Sequence, residues 1–127
     1  KRSTKAGVIF LIRFNNKFLA GISKKKFLQG LYELPTSEYV EYQEITEIEK
    51  IYRYQVRNWK KKNKISENFS TVRTFEHNFS HFQLKVLMVE ILLDKKKKIK
   101  DFLWFSMNEF KKKPISKLMS KALKNII

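Results

Sequence analysis

Cysteine is absent from the sequence, and with it go disulfides, thiolate zinc sites, iron–sulfur clusters and cysteine nucleophiles within this chain. An intracellular setting fits that absence best. Histidine is scarce, His77 and His81 being the two present, and no serine carries the glycine pattern of a nucleophile elbow. Glycine occurs three times, at Gly7, Gly21 and Gly30, and never in a phosphate-cradling loop. No uninterrupted apolar run approaches the roughly 20 residues of a membrane span. Lys1 to Lys5 leads into strand-like sequence instead of a signal peptide's apolar core. A soluble, untargeted chain without a membrane partner is expected. Acidic residues are few: 12 Asp and Glu face 28 Lys and Arg, a formal net charge of +16. Such an excess suits a polyanionic partner such as nucleic acid. Lysine far outnumbers arginine, however, and Ile, Asn, Phe and Tyr are common, the bias that an AT-rich coding sequence produces whatever the function. Charge alone leaves both readings open.

What is present suffices for a packed core. At 127 residues, 43% hydrophobic and 14% aromatic with 11 phenylalanines, the chain has the size and material of one globular domain spanning 1–127. Gly7 to Phe14 (GVIFLIRF) and Lys17 to Ile22 (KFLAGI) read as a hairpin turned at Asn15-Asn16. Lys24, Lys25 and Lys26 follow as an exposed loop, then Leu31 to Leu34 as a brief strand that Pro35 helps to end. Ile45, Ile48, Ile51, Tyr52, Val56 and Trp59 recur at three- and four-residue steps, which predicts a helix from about Gln43 to Lys61 with these residues on one face. Lys60 to Lys64 then places positive charge at the negative end of the helix dipole. Thr71 to Asn78 alternates, and Phe82 to Leu93 is apolar on both faces in its middle, the mark of a central, doubly covered strand. After the charged turn Lys95 to Lys98, Phe102 to Phe105 reads as a strand and Ser106 as the cap of a short helix. A last helix from about Ser116 to Lys124 carries a buried stripe of Leu118, Met119, Ala122, Leu123 and Ile126. The order β-β-β-α-β-β-β-α predicts an α/β (α+β) fold, a mixed β-sheet sandwiched by helices.

That order is similar to the Nudix fold, whose catalytic box follows G-x5-E-x7-R-E-x2-E-E-x-G. Six residues on from Gly7, Gly21 and Gly30 stand Arg13, Phe27 and Thr36, so none meets the required Glu. Arg53 and Arg57 are followed by Tyr54 and Asn58, so the Arg-Glu step is missing too. A diphosphate hydrolase needs clustered carboxylates to hold Mg²⁺ against the phosphates. Glu41, Glu44, Glu47 and Glu49 lie near the helix start, where interaction with the dipole accounts for them. Neither a catalytic residue nor a metal ligand is expected here.

The segment that remains is Phe79-Ser80-His81-Phe82, between two strong strands, with His77 just before it. Glu76 to Val86 (EHNFSHFQLKV) resembles the hallmark stretch of the C-terminal domain of the MutY family of A/G-specific adenine DNA glycosylases: a strand, a Phe-Ser-His loop and a second strand. Gln29 to Pro35 (QGLYELP) resembles that family's Gly-Leu-Trp-Glu-Phe-Pro segment, with Tyr32 and Leu34 in place of Trp and Phe. Trp104, Pro114 and the terminal Leu-containing helix resemble its closing pattern, so the likeness covers nearly the whole chain. A lone Phe-Ser-His is a weak signal, and three segments in order are a stronger one.

The resemblance implies a Nudix-like domain that clamps double-stranded DNA containing 8-oxoguanine paired with adenine. It implies a partner as well, an N-terminal catalytic domain of the same protein that removes adenine and holds an iron–sulfur cluster; this chain needs no cofactor. A bacterial cytoplasmic, nucleoid-associated location follows. Ser80, with Phe79, His81 and His77, is then the lesion reader, and Lys24, Lys25 and Lys26 are candidate phosphate contacts. Oxidation at C8 of guanine adds a carbonyl oxygen and turns N7 from acceptor to N–H donor. A serine hydroxyl both accepts and donates, which fits that altered edge. The plainer alternative is a tight turn satisfied by Ser80, with Phe79 and Phe82 in the core and His77 an ordinary strand histidine. Two other functions stay open: a stand-alone or degenerate Nudix-type hydrolase of oxidised nucleotides, and a Nudix-like module that binds nucleic acid without lesion selectivity.

Overall fold

The β-branched run that opens the chain forms β1 (Ser3–Phe14), and Asn15 turns it into β2 (Lys17–Ile22) through a left-handed φ of 54°, which asparagine tolerates. A computed structural model describes residues 3–126 of the chain; the first two residues of the Lys1–Lys5 segment lie outside the described residues. Two short strands follow, β3 (Tyr32–Glu33) and β4 (Val40–Glu41), then the helix α1 (Ile48–Lys62). The long hairpin β5 (Phe69–Asn78) and β6 (Phe82–Leu92), the strand β7 (Leu103–Ser106), and the helices α2 (Met107–Phe110) and α3 (Lys117–Leu123) complete the order. Ser106 and Ser116 cap α2 and α3 by accepting from Glu109 and Met119 N–H at 3.2 Å each. Among the described residues no helix is long and apolar enough to cross a membrane.

The strands make one mixed sheet in the order β3-β2-β1-β6-β5, with β7 on β2 and β4 on β1. Eleven register pairs from Ser3–Phe82 to Arg13–Leu92 join β1 and β6 in parallel, and β5 adds antiparallel to the other edge of β6. On its remaining edge β1 forks. Its last residues pair with β2, its first with β4, and the segment 35–37 fills the gap through Phe10 N–H to Pro35 O and Ser37 N–H to Val8 O, both 2.9 Å.

Period-two alternation on the two central strands divides the core in two. Val8, Phe10, Ile12, Val89 and Ile91 face α1, where they meet Tyr52 and Val56. Ile9, Leu11, Leu84, Val86 and Met88 face α3, where they meet Leu118, Met119 and Ala122. The result is the mixed α+β sandwich that the patterning predicts. The first helix differs from expectation at its start. Ile45 to Glu47 form a 3-10 turn, and Glu47 Oε1 accepts the Gln43 and Glu44 N–H groups at 2.7 and 2.8 Å, so the α-helix begins at Ile48. Ile45 therefore leaves the buried stripe and is 74% exposed. The strand expected over Leu31–Leu34 shortens to two residues because β2 leaves it for β7.

Candidate functional site

The two strands of the sheet's outer hairpin, β5 and β6, are joined by Phe79, Ser80 and His81, and the Phe79 N–H donates to Phe82 O at 2.8 Å to close the turn. Ser80 and His81 sit exposed at its tip. Beneath them Phe79 and Phe82 lie with ring centroids 4.8 Å apart, and His77 packs edge-on against Phe79 at 4.8 Å. Tyr39 reaches Phe82 at 6.1 Å. It can lie there because Gly7 has no side chain: a Cβ on Gly7 would stand 2.7 Å from the Tyr39 ring. Burial, then the charges of Lys121 and Lys117, hold the His77 imidazole below its ordinary pKa, and its Nδ1 is buried without a hydrogen-bond partner among the described residues. His77 is thus a packing ring beneath the tip, while His81 is at the tip itself.

The lysine loop reaches the same place. Phe27, directly after Lys26, packs on Phe79 at 5.2 Å and on Phe82 at 5.8 Å. The three lysines nevertheless have different surroundings. Lys24 pairs with Asp101 at 2.8 Å, and Lys26 is exposed. Lys25 turns inward, donating to Thr36 Oγ1 at 2.8 Å, lying 3.7 Å from Glu33 and 4.8 Å over the Tyr39 ring. Other cations surround the turn: Lys5 lies 4.6 Å over Phe82, and Lys121 donates to Glu76 O at 3.0 Å. Lys5, Lys117 and Lys121 escape a sequence reading because only the parallel β1–β6 register and the docking of α3 bring them to the turn, and Tyr39 because the loop between β3 and β4 carries it there. The one local signal is Phe27 itself, an aromatic residue at the end of a lysine run.

Glu33 is the buried carboxyl beside this group, 8% exposed. Burial raises its pKa, offset in part by Lys25 and by a hydrogen bond from Ser23. The folded chain therefore takes up a proton at Glu33 more readily than the unfolded chain. The stability tied to this group is complete below the unfolded value near 4.5 and declines as pH rises through the raised value. Glu33→Gln should remove that decline, so the variant should gain stability relative to wild type between acid and neutral pH. Thermal melts of both proteins across that range check it, and parallel curves would show that Lys25 holds the carboxylate charged after all.

A cleft of about 190 Å³ lies between the 36–38 segment and the second half of α1, lined by Thr36, Ser37, Glu38, Gln55, Asn58 and Lys62 among others. Its one carboxylate, Glu38, shares it with a lysine. Among the described residues no group of three or more His, Asp or Glu side chains could hold a metal ion. This donor set does not fit the Mg²⁺ that phosphate chemistry on such a helix requires.

The fold and this helix-backed cleft define the class: a mixed-sheet sandwich of the Nudix kind whose cleft is poor in carboxylates. The sequence matches the NUDIX domain over residues 8–125, and the chain belongs to that family. No curated protein matches the sequence. Among solved structures, the C-terminal domain of mouse MUTYH, in complex with human PCNA, superposes with a TM-score of 0.71 at 14% identity, covering 94% of this chain and 85% of that one. The MutT protein of Methanosarcina mazei gives 0.64 at 11% identity, over 98% of this chain and 99% of that one. A Nudix hydrolase, the DNA mismatch repair protein MutT of methicillin-resistant Staphylococcus aureus, gives 0.58 at 21%, over 87% and 85%. At these identities the likeness is one of fold.

Proposed function

We propose that the chain is a DNA lesion-recognition module of the MutY C-terminal kind, reading 8-oxoguanine opposite adenine while a separate catalytic domain of the same protein, with its own iron–sulfur cluster, removes the adenine. The observation that carries this reading is the exposed Ser80–His81 tip, mounted on Phe79 and Phe82 and joined through Phe27 to the lysine loop. An exposed hydroxyl on a braced turn can accept from N7–H of the oxidised base, and a hydroxyl or backbone N–H can donate to its new carbonyl oxygen. The aromatic cluster limits the motion of the tip, so the hydrogen bonds lose less to ordering. The likeness to the mouse MUTYH domain supports the reading. A bacterial cytoplasmic site of action goes with it.

The likeness to MutT proteins favours the other reading, a hydrolase of oxidised nucleotides. The cleft supplies one carboxylate where that chemistry needs several. Two assays on the 127-residue chain separate them. It should bind a duplex with 8-oxoguanine opposite adenine more tightly than one with guanine opposite adenine. It should also leave oxidised and normal nucleoside triphosphates intact with Mg²⁺ or Mn²⁺. Equal affinities sink lesion reading, and metal-dependent turnover lost in Glu38→Gln establishes the hydrolase.

Binding should weaken steeply with salt. Changing Lys26, Lys117 and Lys121 to Gln should flatten the dependence of log K on log salt by about 0.9 for each phosphate no longer neutralised. Lys24→Gln should flatten it less, because Asp101 already pairs with that lysine. A wild-type affinity that ignores salt would reduce the excess charge to composition.

A further inference from the structure

Phe27 packs beneath the reading tip, yet most of its ring is turned to solvent. The 3-10 turn Lys26–Leu28 is held from both sides, by Leu28 N–H to Lys25 O at 3.0 Å and Leu31 N–H to Leu28 O at 3.1 Å. Leu28 is buried beneath it, whereas Phe27 is 51% exposed. The ring stands nearly perpendicular to Phe79 and Phe82, with interplanar angles of 78° and 88°. Lys5 already lies over Phe82 and Lys25 over Tyr39, which leaves Phe27 as the most open ring of the cluster. An isolated exposed apolar residue would need no explanation. This one caps the rings of Phe79 and Phe82, follows three consecutive lysines and adjoins the Ser80–His81 tip.

Building on the lesion-recognition reading, we propose that Phe27 is a stacking ring that covers a nucleobase next to the one read by Ser80. The occupant follows from charge and surface chemistry. The lysines around the cluster suit a polyanion, a base step of the duplex opened beside the base being read offers a π face, and base–aromatic stacking tolerates any sequence. The division of labour is then geometric: the hydroxyl tip selects the base edge, and the perpendicular ring holds the neighbouring base so that the edge is presented. Because the ring contacts a base and no phosphate, its removal should weaken binding without changing the salt slope.

Fluorescence-anisotropy titrations of the full chain on the 8-oxoguanine:adenine and guanine:adenine duplexes, at several salt concentrations, test it. Phe27→Ala and Phe27→Leu should each lose about tenfold in affinity with an unchanged salt slope. Phe27→Trp should keep wild-type affinity, and its added indole fluorescence should be quenched on DNA. The Leu variant keeps apolar volume, so the result stands even if the Ala variant melts early. Wild-type affinity in the Leu variant, or a loss accompanied by a lower salt slope, overturns the stacking role. A wild type that binds both duplexes equally but still loses about tenfold in the Leu variant keeps the stacking ring and removes the lesion reading. A wild type that binds no DNA overturns both.

Discussion

Replacing Ser80 and His81 together with alanine should cut the preference for 8-oxoguanine:adenine over guanine:adenine duplexes by roughly ten- to a hundredfold, with little change in melting temperature. The magnitude follows from leaving a desolvated polar base edge without its partner, which costs about 1–3 kcal/mol. Ser80→Ala alone should show the smaller part of the effect, because a backbone N–H at the tip still donates to the new carbonyl oxygen. Both side chains are exposed and neither belongs to the aromatic cluster, so the fold has little reason to respond. Phe79→Ala is the counterpart. Phe79 packs on His77, Phe27 and Phe82, so its loss should lower the melting temperature and loosen the tip indirectly. Competition titrations give the preference, and melts of each variant separate reading from folding. An undiminished preference in the double variant would place recognition elsewhere and leave the turn a mere connection.

Local chemistry carries much of the fold into view. Asn15-Asn16 between two apolar runs, Ser106 and Ser116 ahead of helical stretches, and the two-sided apolar middle of β6 each specify their conformation within a few residues. The tip of the candidate site is equally legible, since polar residues between two strong strands must turn. Its surroundings are not. Lys5 reaches Phe82 because β1 and β6 run parallel with Ser3 opposite Phe82, a register that no local pattern encodes. Lys25 reads in sequence as a solvated loop cation, and only the fold places Glu33 and Tyr39 beside it. Ile45 keeps the helical period and loses its burial because Glu47 satisfies the backbone N–H groups of Gln43 and Glu44, which delays the regular helix to Ile48. For Lys5 and Lys25 a neighbour distant in sequence decides between two locally acceptable outcomes, and for Ile45 a competing cap within four residues does.

Phe10→Ala should cost about 3–5 kcal/mol of folding stability, the usual range for deleting a fully buried aromatic ring, and a large share of the roughly 5–15 kcal/mol that holds a typical domain. Phe10 is 0% exposed in the middle of β1 and stacks on Trp59 of α1 at 4.4 Å with an interplanar angle of 18°. Its removal takes away transfer energy and stacking together and opens a cavity between sheet and helix. The backbone bond from Phe10 N–H to Pro35 O survives, so the fork that seats the 35–37 segment should remain. The aromatic cluster under Ser80 lies with the other core, on the α3 side of the sheet. The variant should therefore keep its lesion preference at any temperature where it is folded, even as its urea midpoint falls with the slope unchanged. Urea titrations supply the stability, and the duplex competition repeated well below the midpoint supplies the preference. A loss under about 1 kcal/mol would mean that Trp59 moves into the space. A folded variant without preference would mean that the α1 side of the sheet positions the reading turn, and the division into two independent cores would fail.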